Sequence, residues 1–302
     1  MGVAVRRWNV KLRRSGVAIC LSGCLTSALL GLAPTAAAAG RGAADYSLAD
    51  STFAGSQIAR FEGVVPVPIT GTARSDRADR SDRAGLGKAD RGGDLLGHDV
   101  SGHQGDVDWQ AAWRDGGRFV YVKATEGNGF INPRFTQQYN GSYQVGMIRG
   151  AYHFARPDVS DGANQANYFV DHGGGWSPDG RTLPGALDAE YNPYGDACYG
   201  MDPVRLSNWL ADFSNTYKAR TGRFPMIYTS TRWWNKCTGS NARFGGNNPL
   251  WIARYAPEIG PLPAGWTREA IWQFSDRGAL PGDQNRFNQA FGRLRDVARA
   301  AS

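Results

Sequence analysis

From residue 94 onward, short apolar or aromatic runs alternate with stretches that are long enough to form helices. Runs of this length that are bounded by turn-forming residues predict β-strands. The predicted strands lie at residues 96–100, 119–123, 146–154, 185–190, 225–229, 250–255 and 270–274. A strand followed by a helix, repeated along the chain, predicts a parallel sheet with its helices outside.

The clearest helix follows the fourth strand. Asp202 is suited to the N-cap, Pro203 to the first helical position and Gly222 to the position after the last turn. Its apolar positions recur with the helical period, at Leu206, Trp209, Leu210, Phe213 and Tyr217. The later strands lie too close together for crossover helices. The predicted fold class is therefore α/β, an irregular, incomplete (β/α) barrel of about eight strands with helices outside.

The first 39 residues have the layout of a secretory signal peptide: five basic residues, an apolar run at 17–33 and small residues at 36–39. Without them the chain keeps 29 basic and 27 acidic residues. This near-neutral balance argues against nucleic acid as a partner. We expect a secreted, extracellular protein without stable membrane association. Two alternatives are a single membrane anchor and a lipoprotein lipidated at Cys24, because residues 21–24 resemble a lipobox.

Residues 40–93 are rich in Gly, Ala and paired opposite charges, and residues 75–84 form a short polyampholyte repeat. Such a composition has no apolar period that could offset the entropy of ordering the chain. It predicts a flexible linker or pro-region, with a wall-associating segment as an alternative. Residues 94–302 would then form one catalytic domain.

Polar residues collect where the predicted strands end, which is the end of a (β/α) barrel that carries the chemistry. Asp188 and Glu190, separated by one residue on a strand, point to the same face with Cα atoms roughly 7 Å apart. Their pKa values should split, so that one carboxyl stays protonated while the other is charged. Glycoside hydrolysis needs such a pair, although the tripeptide alone is weak evidence.

Six segments in a fixed order strengthen that interpretation. They lie at residues 99–105, 123–127, 149–154, 187–190, 227–229 and 272–274. Together they resemble the family 25 glycoside hydrolases, which are muramidases (lysozymes) that cleave the β-1,4 bond between N-acetylmuramic acid and N-acetylglucosamine. The resemblance covers residues 94 to about 295. It implies bacterial cell-wall peptidoglycan as the substrate and a barrel of five β/α units plus three strands. We expect a monomer without a cofactor.

The resemblance also implies roles for four carboxyl groups. Glu190 matches the general acid and Asp188 its partner carboxylate, while Asp99 and Asp283 match a third and a fourth carboxylate of the site. Two mechanisms remain open. The 2-acetamido group of the substrate could attack the anomeric carbon, or a water activated by a second carboxylate could attack it directly with inversion. We favour the first, because muramic acid carries the acetamido group.

Aromatic side chains near the strand ends are candidates for sugar binding, since their flat faces stack on sugars and their polar atoms hydrogen-bond hydroxyl groups. The candidates are Tyr152, Tyr191, Tyr228, Trp251, Tyr255 and Trp272. Core packing is the alternative role for each, and substrate contact is favoured for Tyr152, Tyr191 and Tyr228, which flank the acidic positions. His153 either contacts the substrate or satisfies a buried hydrogen bond. The four histidines show no ligand spacing, so no metal site is expected.

Cys198 and Cys237 remain after removal of the signal peptide, and two cysteines in an exported chain are expected to pair. Two other functions compete with the muramidase hypothesis: a secreted glycan-binding protein that has lost turnover, and a chitinase-type hydrolase with the same pair of acids. The sequence leaves open whose wall is attacked, how O-acetylated glycan is handled and whether residues 40–93 are cleaved.

Overall fold

The computed structural model describes residues 45–64 and 95–299. The predicted signal peptide, Cys24 and residues 65–93 of the predicted linker lie outside the described residues. The strands are β1 (Leu95–Val100), β2 (Phe119–Glu126), β3 (Phe130–Ile131), β4 (Ile148–Phe154), β5 (Ala186–Asp188), β6 (Met226–Thr229), β7 (Leu250–Ala253), β8 (Ile271–Ser275) and β9 (Asp283–Phe287). The α-helices are α1 (Ile58–Glu62), α2 (Trp109–Arg114), α3 (Phe135–Gln144), α4 (Gly162–Phe169), α5 (Pro203–Thr221), α6 (Thr231–Thr238) and α7 (Phe291–Arg299).

Eight strands form a closed ring in the order β1, β9, β8, β7, β6, β5, β4, β2, with β2 returning to β1. Neighbouring strands are parallel except at β9, which is antiparallel to β1 and β8. The two-residue β3 pairs only with the end of β2. Helix α2 follows β1, α3 follows the β2–β3 pair, and α4, α5 and α6 follow β4, β5 and β6 in turn. Strands β7, β8 and β9 follow one another with no α-helix between them in residues 250–287, all of which are described. The predicted fold class is confirmed.

Helix α5 shows why local sequence signals succeeded here. The side chain of its N-cap Asp202 accepts hydrogen bonds from the backbone N–H groups of Val204 and Arg205 at 3.0 and 2.9 Å. Gly222 ends the helix in the left-handed conformation that glycine adopts without steric cost. The five predicted apolar positions are all buried, packing the helix against the barrel.

The barrel interior is filled by aromatic rings and not open as a pore. Tyr121 stacks on Trp251 with ring centroids 4.8 Å apart, and Tyr228 meets Trp251 edge to face at 4.8 Å. Gly150 makes room for this packing, because a Cβ there would lie 2.2 Å from the ring of Tyr121. The packed rings form a solid floor beneath the carboxyl ends of the strands.

Residues 45–64, here called the mouth segment, lie across the carboxyl ends of the parallel strands. The segment includes α1, and its Ala49, Ala54 and Ile58 side chains are buried. For these residues the structure differs from the expected flexible linker. The segment contributes Ala54 and Ile58 to the hydrophobic core, and hydrogen bonds to barrel side chains that are distant in sequence also hold it.

Candidate active site

Four carboxyl groups converge at the mouth of the barrel. Asp188 is the last residue of β5, and Glu190 follows two residues later. Asp99 lies near the end of β1, directly opposite Asp283 in the β1–β9 ladder. Because β9 runs antiparallel to its neighbours, its first residue reaches the same end of the barrel as the last residues of the parallel strands. The structure thus brings together all four acids that the sequence analysis selected.

Neutral donors hold the two acids on β1 and β9. Oδ2 of Asp99 accepts hydrogen bonds from the side-chain amides of Gln273 and Asn285 at 2.8 and 2.7 Å. Oδ2 of Asp283 accepts one from the Tyr255 hydroxyl at 2.9 Å. Oε1 of Gln273 in turn accepts a hydrogen bond from Tyr228 at 2.7 Å. Gln273 therefore connects an acid to an aromatic residue on the opposite side of the ring.

Burial dominates the electrostatics of the four acids. It raises the pKa of Glu190 to about 8, although backbone donors favour the charged form. Burial also raises the pKa of Asp99 to about 7, with the Glu190 charge adding to the effect. The pKa values of Asp188 and Asp283 lie well above the usual range, and burial is the largest cause for both. The negative charge of Glu190 raises the pKa of Asp188 further, and that of Asp99 raises the pKa of Asp283 further. All four therefore shift upward, whereas the sequence analysis expected a split.

Asp188 and Glu190 differ in their hydrogen bonding. Neither carboxyl oxygen of Asp188 contacts a hydrogen-bond partner among the described residues, although both atoms are buried. Both oxygens of Glu190, by contrast, accept backbone N–H groups of the mouth segment, from Gly55 at 2.7 Å and Gln57 at 3.3 Å. Burial without a donor destabilises a carboxylate, so Asp188 has the capacity to accept hydrogen bonds from a ligand.

A buried ion pair stands beside the acids. Nζ of Lys123 lies 2.7 Å from Oε2 of Glu126, and both side chains are fully buried. Arg156 approaches the other Glu126 oxygen at 3.7 Å. The positive charge of Lys123 opposes the rise in the pKa of Asp188. The Lys123–Glu126 pair was not predicted as part of the site. Lys123 does follow Phe119 and Tyr121 at alternate positions, however, which places all three on one face of a strand.

The predicted sugar-binding tyrosines lie at or near the mouth. The Tyr152 hydroxyl accepts the Ala54 N–H at 3.3 Å, and Tyr228 contacts Gln273 as described above. Tyr191 donates a hydrogen bond to Oε1 of Glu62 at 3.0 Å, and its ring stacks on Phe61 with centroids 4.3 Å apart. All three therefore contact either the mouth segment or a side chain bound to it.

Two further candidates are not brought to the site. His153 points outward from β4, where its ring nitrogens contact Thr125 at 2.8 Å and Gln165 at 3.0 Å. His153 was predicted either to contact the substrate or to satisfy a buried hydrogen bond, and its position fits the second role. Trp272 also faces outward, because its neighbour Gln273 faces the acids, and its Nε1 donates to the Arg254 carbonyl at 2.9 Å. Adjacent strand residues point to opposite faces, a parity that could have been read from the sequence.

Asn285 was missed as a site residue, and Tyr255 was predicted only as one of the aromatic candidates, not as a partner of Asp283. Asp283 and Asn285 alternate on β9 and therefore share a face, which is a usable signal once β9 is recognised as a strand. Because the sequence of β9 is mostly polar, Asp283-Gln284-Asn285-Arg286-Phe287, the apolar alternation that predicts a strand is missing there. Tyr255 lies beyond the end of β7, so its contact with Asp283 depends on a loop conformation that no period predicts.

A disulfide bond joins Cys198 and Cys237, as predicted, with Cα atoms 5.3 Å apart. It ties the loop after β5, which carries Glu190 and Tyr191, to helix α6. The Ala197 carbonyl next to it accepts a hydrogen bond from Nε1 of Trp233 at 3.1 Å. The loop that carries the candidate acid is thus fixed to the outer layer of helices.

Within residues 45–64 and 95–299, no three or more His, Cys, Asp or Glu side chains are grouped so that they could hold a metal ion. No helix in the described part of the chain is long and apolar enough to cross a bilayer.

Comparison with known proteins gives a consistent result. A family model described as glycosyl hydrolases family 25 matches residues 98–283, which include all four acids. The chain is 46% identical over 208 residues to an N,O-diacetylmuramidase of Chalaropsis sp, covering 68% of this chain and 99% of the relative. It is 44% identical over 222 residues to lysozyme M1 of Streptomyces globisporus, covering 72% and 75%. A solved muramidase structure from Acremonium alcalophilum matches with a TM-score of 0.67 and 52% identity, covering 68% of this chain and 99% of that one.

Proposed function

The chain belongs to the family 25 glycosyl hydrolases, and from this premise we propose that it cleaves the β-1,4 bond between N-acetylmuramic acid and N-acetylglucosamine in bacterial cell-wall peptidoglycan. It is a glycoside hydrolase of the lysozyme type. The observation that carries the proposal is the convergence of Asp99, Asp188, Glu190 and Asp283 at one end of the barrel. The Chalaropsis sp relative is named an N,O-diacetylmuramidase.

Glu190 is the proposed general acid. A group that donates a proton near neutral pH needs a pKa near that pH, and burial raises the pKa of Glu190 to about 8 while the mouth segment is in place. Glu190 would transfer its proton to the glycosidic oxygen as the bond from that oxygen to the anomeric carbon breaks. The leaving sugar then departs as an alcohol, and Glu190 is left as a carboxylate that can accept a proton from water.

Asp188 is the proposed partner carboxylate. Its two oxygens have no hydrogen-bond donor among the described residues, so they are available to accept the N–H of the substrate acetamido group. That contact would orient the acetamido oxygen for attack on the anomeric carbon and retain the anomeric configuration. Direct attack by water is the alternative and gives inversion. NMR of the anomer formed first distinguishes the two.

The remaining polar groups would shape the binding groove. We propose that Asp99 and Asp283 add negative potential beside the cationic centre that develops during bond cleavage. Tyr152, Tyr191 and Tyr228 are the proposed sugar contacts, because the hydroxyl groups of Tyr152 and Tyr228 and the ring of Tyr191 lie at the mouth. His153 and Trp272 are not included, since their side chains face away from the acids.

The test is digestion of purified bacterial wall followed by mass spectrometry of the new reducing ends. A muramidase releases muramic acid ends, whereas a chitinase-like enzyme releases glucosamine ends. Glu190→Gln should lower the rate by about 10²-fold or more, while Asp115→Asn, at an exposed position after α2, should not change it. Adsorption to walls without any new reducing ends, both in the wild-type protein and in a variant whose mouth segment no longer covers Glu190, would favour a binding protein and contradict the proposal.

Secretion and domain organisation complete the proposal. We propose that residues 1–39 direct export, because their basic and apolar regions follow the order of a signal peptide. Residues 94–302 would form the catalytic domain, in agreement with the extent of the family match. N-terminal sequencing of the protein recovered from culture medium tests both the cleavage site and the export.

A further inference from the structure

The mouth segment covers the proposed general acid. Gly55 and Gln57 donate their backbone N–H groups to the two carboxyl oxygens of Glu190, at 2.7 and 3.3 Å. A general acid must place one of these oxygens within hydrogen-bond distance of the leaving oxygen. The side chain of Glu190 has no exposed surface in this arrangement. A glycan therefore cannot reach Glu190 while the segment lies in the mouth.

The segment is held from several sides of the ring. On β2, Nζ of Lys123 donates to the Ala49 carbonyl and to both Thr52 oxygens at 2.8 to 2.9 Å. On β8, Nε2 of Gln273 donates to the Ala54 carbonyl at 2.9 Å. Next to β6, the Ser230 hydroxyl donates to Glu62. These contacts use charged and amide donors that line the mouth, so the segment binds as a ligand of the site.

The segment also occupies the proposed sugar platforms. Phe61 stacks on Tyr191 with ring planes 10° apart, which is the face proposed for a sugar ring. The Ala54 N–H reaches the Tyr152 hydroxyl. Segment and glycan would thus compete for the same tyrosines as well as for Glu190.

Gly55 shows how closely the segment fits. Its φ of +96° lies in the region that favours glycine, and a Cβ at this position would lie 2.0 Å from the Tyr255 hydroxyl and 2.8 Å from Oε1 of Gln273. Any larger side chain must push the segment outward. Gly63 has a comparable φ of +76°, yet a Cβ there meets nothing within 4 Å. The two glycines therefore form a matched pair for a test.

The barrel fold does not require this segment in the relatives. The family match begins at residue 98, after the mouth segment. The alignment with the Chalaropsis sp relative covers 99% of that protein but only 68% of this chain. About a third of this chain therefore has no counterpart in that enzyme.

We propose that residues 45–64 are an autoinhibitory segment, which keeps the hydrolase latent until it leaves the mouth of the barrel. The inference rests on the proposed function of Glu190. No covalent step is involved, because the segment inhibits by occupying the site. When only a minor fraction of molecules is open, the apparent affinity for substrate falls by that fraction.

The first experiment compares the full-length chain with Gly55→Leu and with its control Gly63→Leu. Hydrogen exchange of residues 45–64 reports whether the segment is displaced, and release of reducing ends from walls reports activity. For a closed state populated to 90% or more, Gly55→Leu should raise the initial rate by about tenfold or more and remove amide protection of residues 54–57. Gly63→Leu carries a comparable backbone strain at the end of α1 but meets no barrel atom, so its rate and its amide protection at residues 54–57 should stay near those of the wild-type protein.

A second pair of variants displaces the segment by charge. Ala54→Glu places a carboxylate next to the four acids, whereas Ser51→Glu adds the same charge at an exposed position. A synthetic peptide of residues 45–64, added to Gly55→Leu, should restore inhibition. The same peptide carrying leucine in place of Gly55 should not.

The outcomes separate this inference from the proposed function. Equal, measurable rates in the wild-type protein and in a variant with a displaced segment overturn the autoinhibition and leave the muramidase function in place. A displaced segment with no reducing ends released overturns the proposed function, and the autoinhibition with it. A higher rate in Gly55→Leu and Ala54→Glu, but in neither control, supports both.

Discussion

Asp99 and Asp283 lie directly opposite each other across the antiparallel β1–β9 pair, and only neutral side chains donate to their carboxyl groups. The charge of Asp99 adds to burial in raising the pKa of Asp283. With Asp188 and Glu190 nearby, the mouth of the barrel holds four buried acids, and the positive charge of Lys123 opposes the rise in the pKa of Asp188 and Glu190. These carboxyl groups therefore bind protons more tightly in the folded state than in the unfolded state, with consequences for stability.

The first prediction concerns the pH dependence of stability. The pKa values of Asp99 and Glu190 are raised to about 7 and about 8, so the folded state binds more protons than the unfolded state up to about pH 8. The free energy of unfolding should therefore fall as the pH rises through this range. The buried His98 and His153, whose pKa values burial lowers to about 4, act in the opposite direction below about pH 6.5.

The measurement is the thermal midpoint between pH 7 and 8, where these histidines are mostly neutral in both states. Wild-type protein should melt at a lower temperature at pH 8, and the Asp99→Asn/Glu190→Gln double variant should show a flatter dependence. Asp115→Asn is the control. A wild-type midpoint that rises with pH over this window would contradict the prediction.

The second prediction concerns the buried Lys123–Glu126 pair. Lys123→Met leaves Glu126 buried with less compensation and should lower the free energy of unfolding by about 3 to 5 kcal/mol. The double variant Lys123→Met/Glu126→Gln should recover part of that loss. The exposed pair Arg134–Asp106 is the control, and its Arg134→Met variant should cost less than about 1 kcal/mol. Urea unfolding measures all three, and equal costs at both sites would refute the argument.

The third prediction concerns the disulfide between Cys198 and Cys237, which closes a loop with a sequence separation of 39. Replacing both cysteines with serine should lower the free energy of unfolding by up to about 4 kcal/mol in the chain-entropy model. The loop after β5 carries Glu190, so the loss should appear first as faster hydrogen exchange in residues 190–200. Unchanged exchange there, with a lower global stability, would show that the bond does not position the acid.

The fourth prediction separates the aromatic candidates by the face of the strand they occupy. Trp272→Phe should leave kcat/KM on wall fragments unchanged, because Trp272 faces away from the acids. Tyr228→Phe removes the hydroxyl that donates to Gln273. Because one buried hydrogen bond is lost, kcat/KM on wall fragments should fall by about tenfold. Segment displacement must be controlled, so both substitutions are made in the Gly55→Leu background. A loss at Trp272 alone would show that sugars bind the outer face.

Much of the scaffold could be predicted from local patterns. The seven predicted strands and helix α5 are present because their apolar periods and capping residues act within a few neighbours. Asp188 ends β5, one of the predicted strands, whereas Glu190 lies beyond the end of β5, so the predicted strand period does not account for its position. The pairing of Cys198 and Cys237 was predicted because they are the two cysteines that follow the predicted signal peptide. The roles of the acids came from resemblance and remain proposals.

The tertiary structure decided what depends on distant contacts. The sequence of β9 is polar, and it is a strand because it closes the ring between β1 and β8. Gln273 joins Asp99 to Tyr228 only because three strands far apart in sequence meet at one mouth.

The sequence by itself determined a barrel scaffold with acids at the ends of its strands, since alternation and helix capping are local effects. It could not show that residues 45–64 lie over those acids. The segment is held by barrel donors about 70 to 220 residues away in the chain, such as Lys123 and Gln273, and neither its composition nor its local pattern carries a sign of such distant partners.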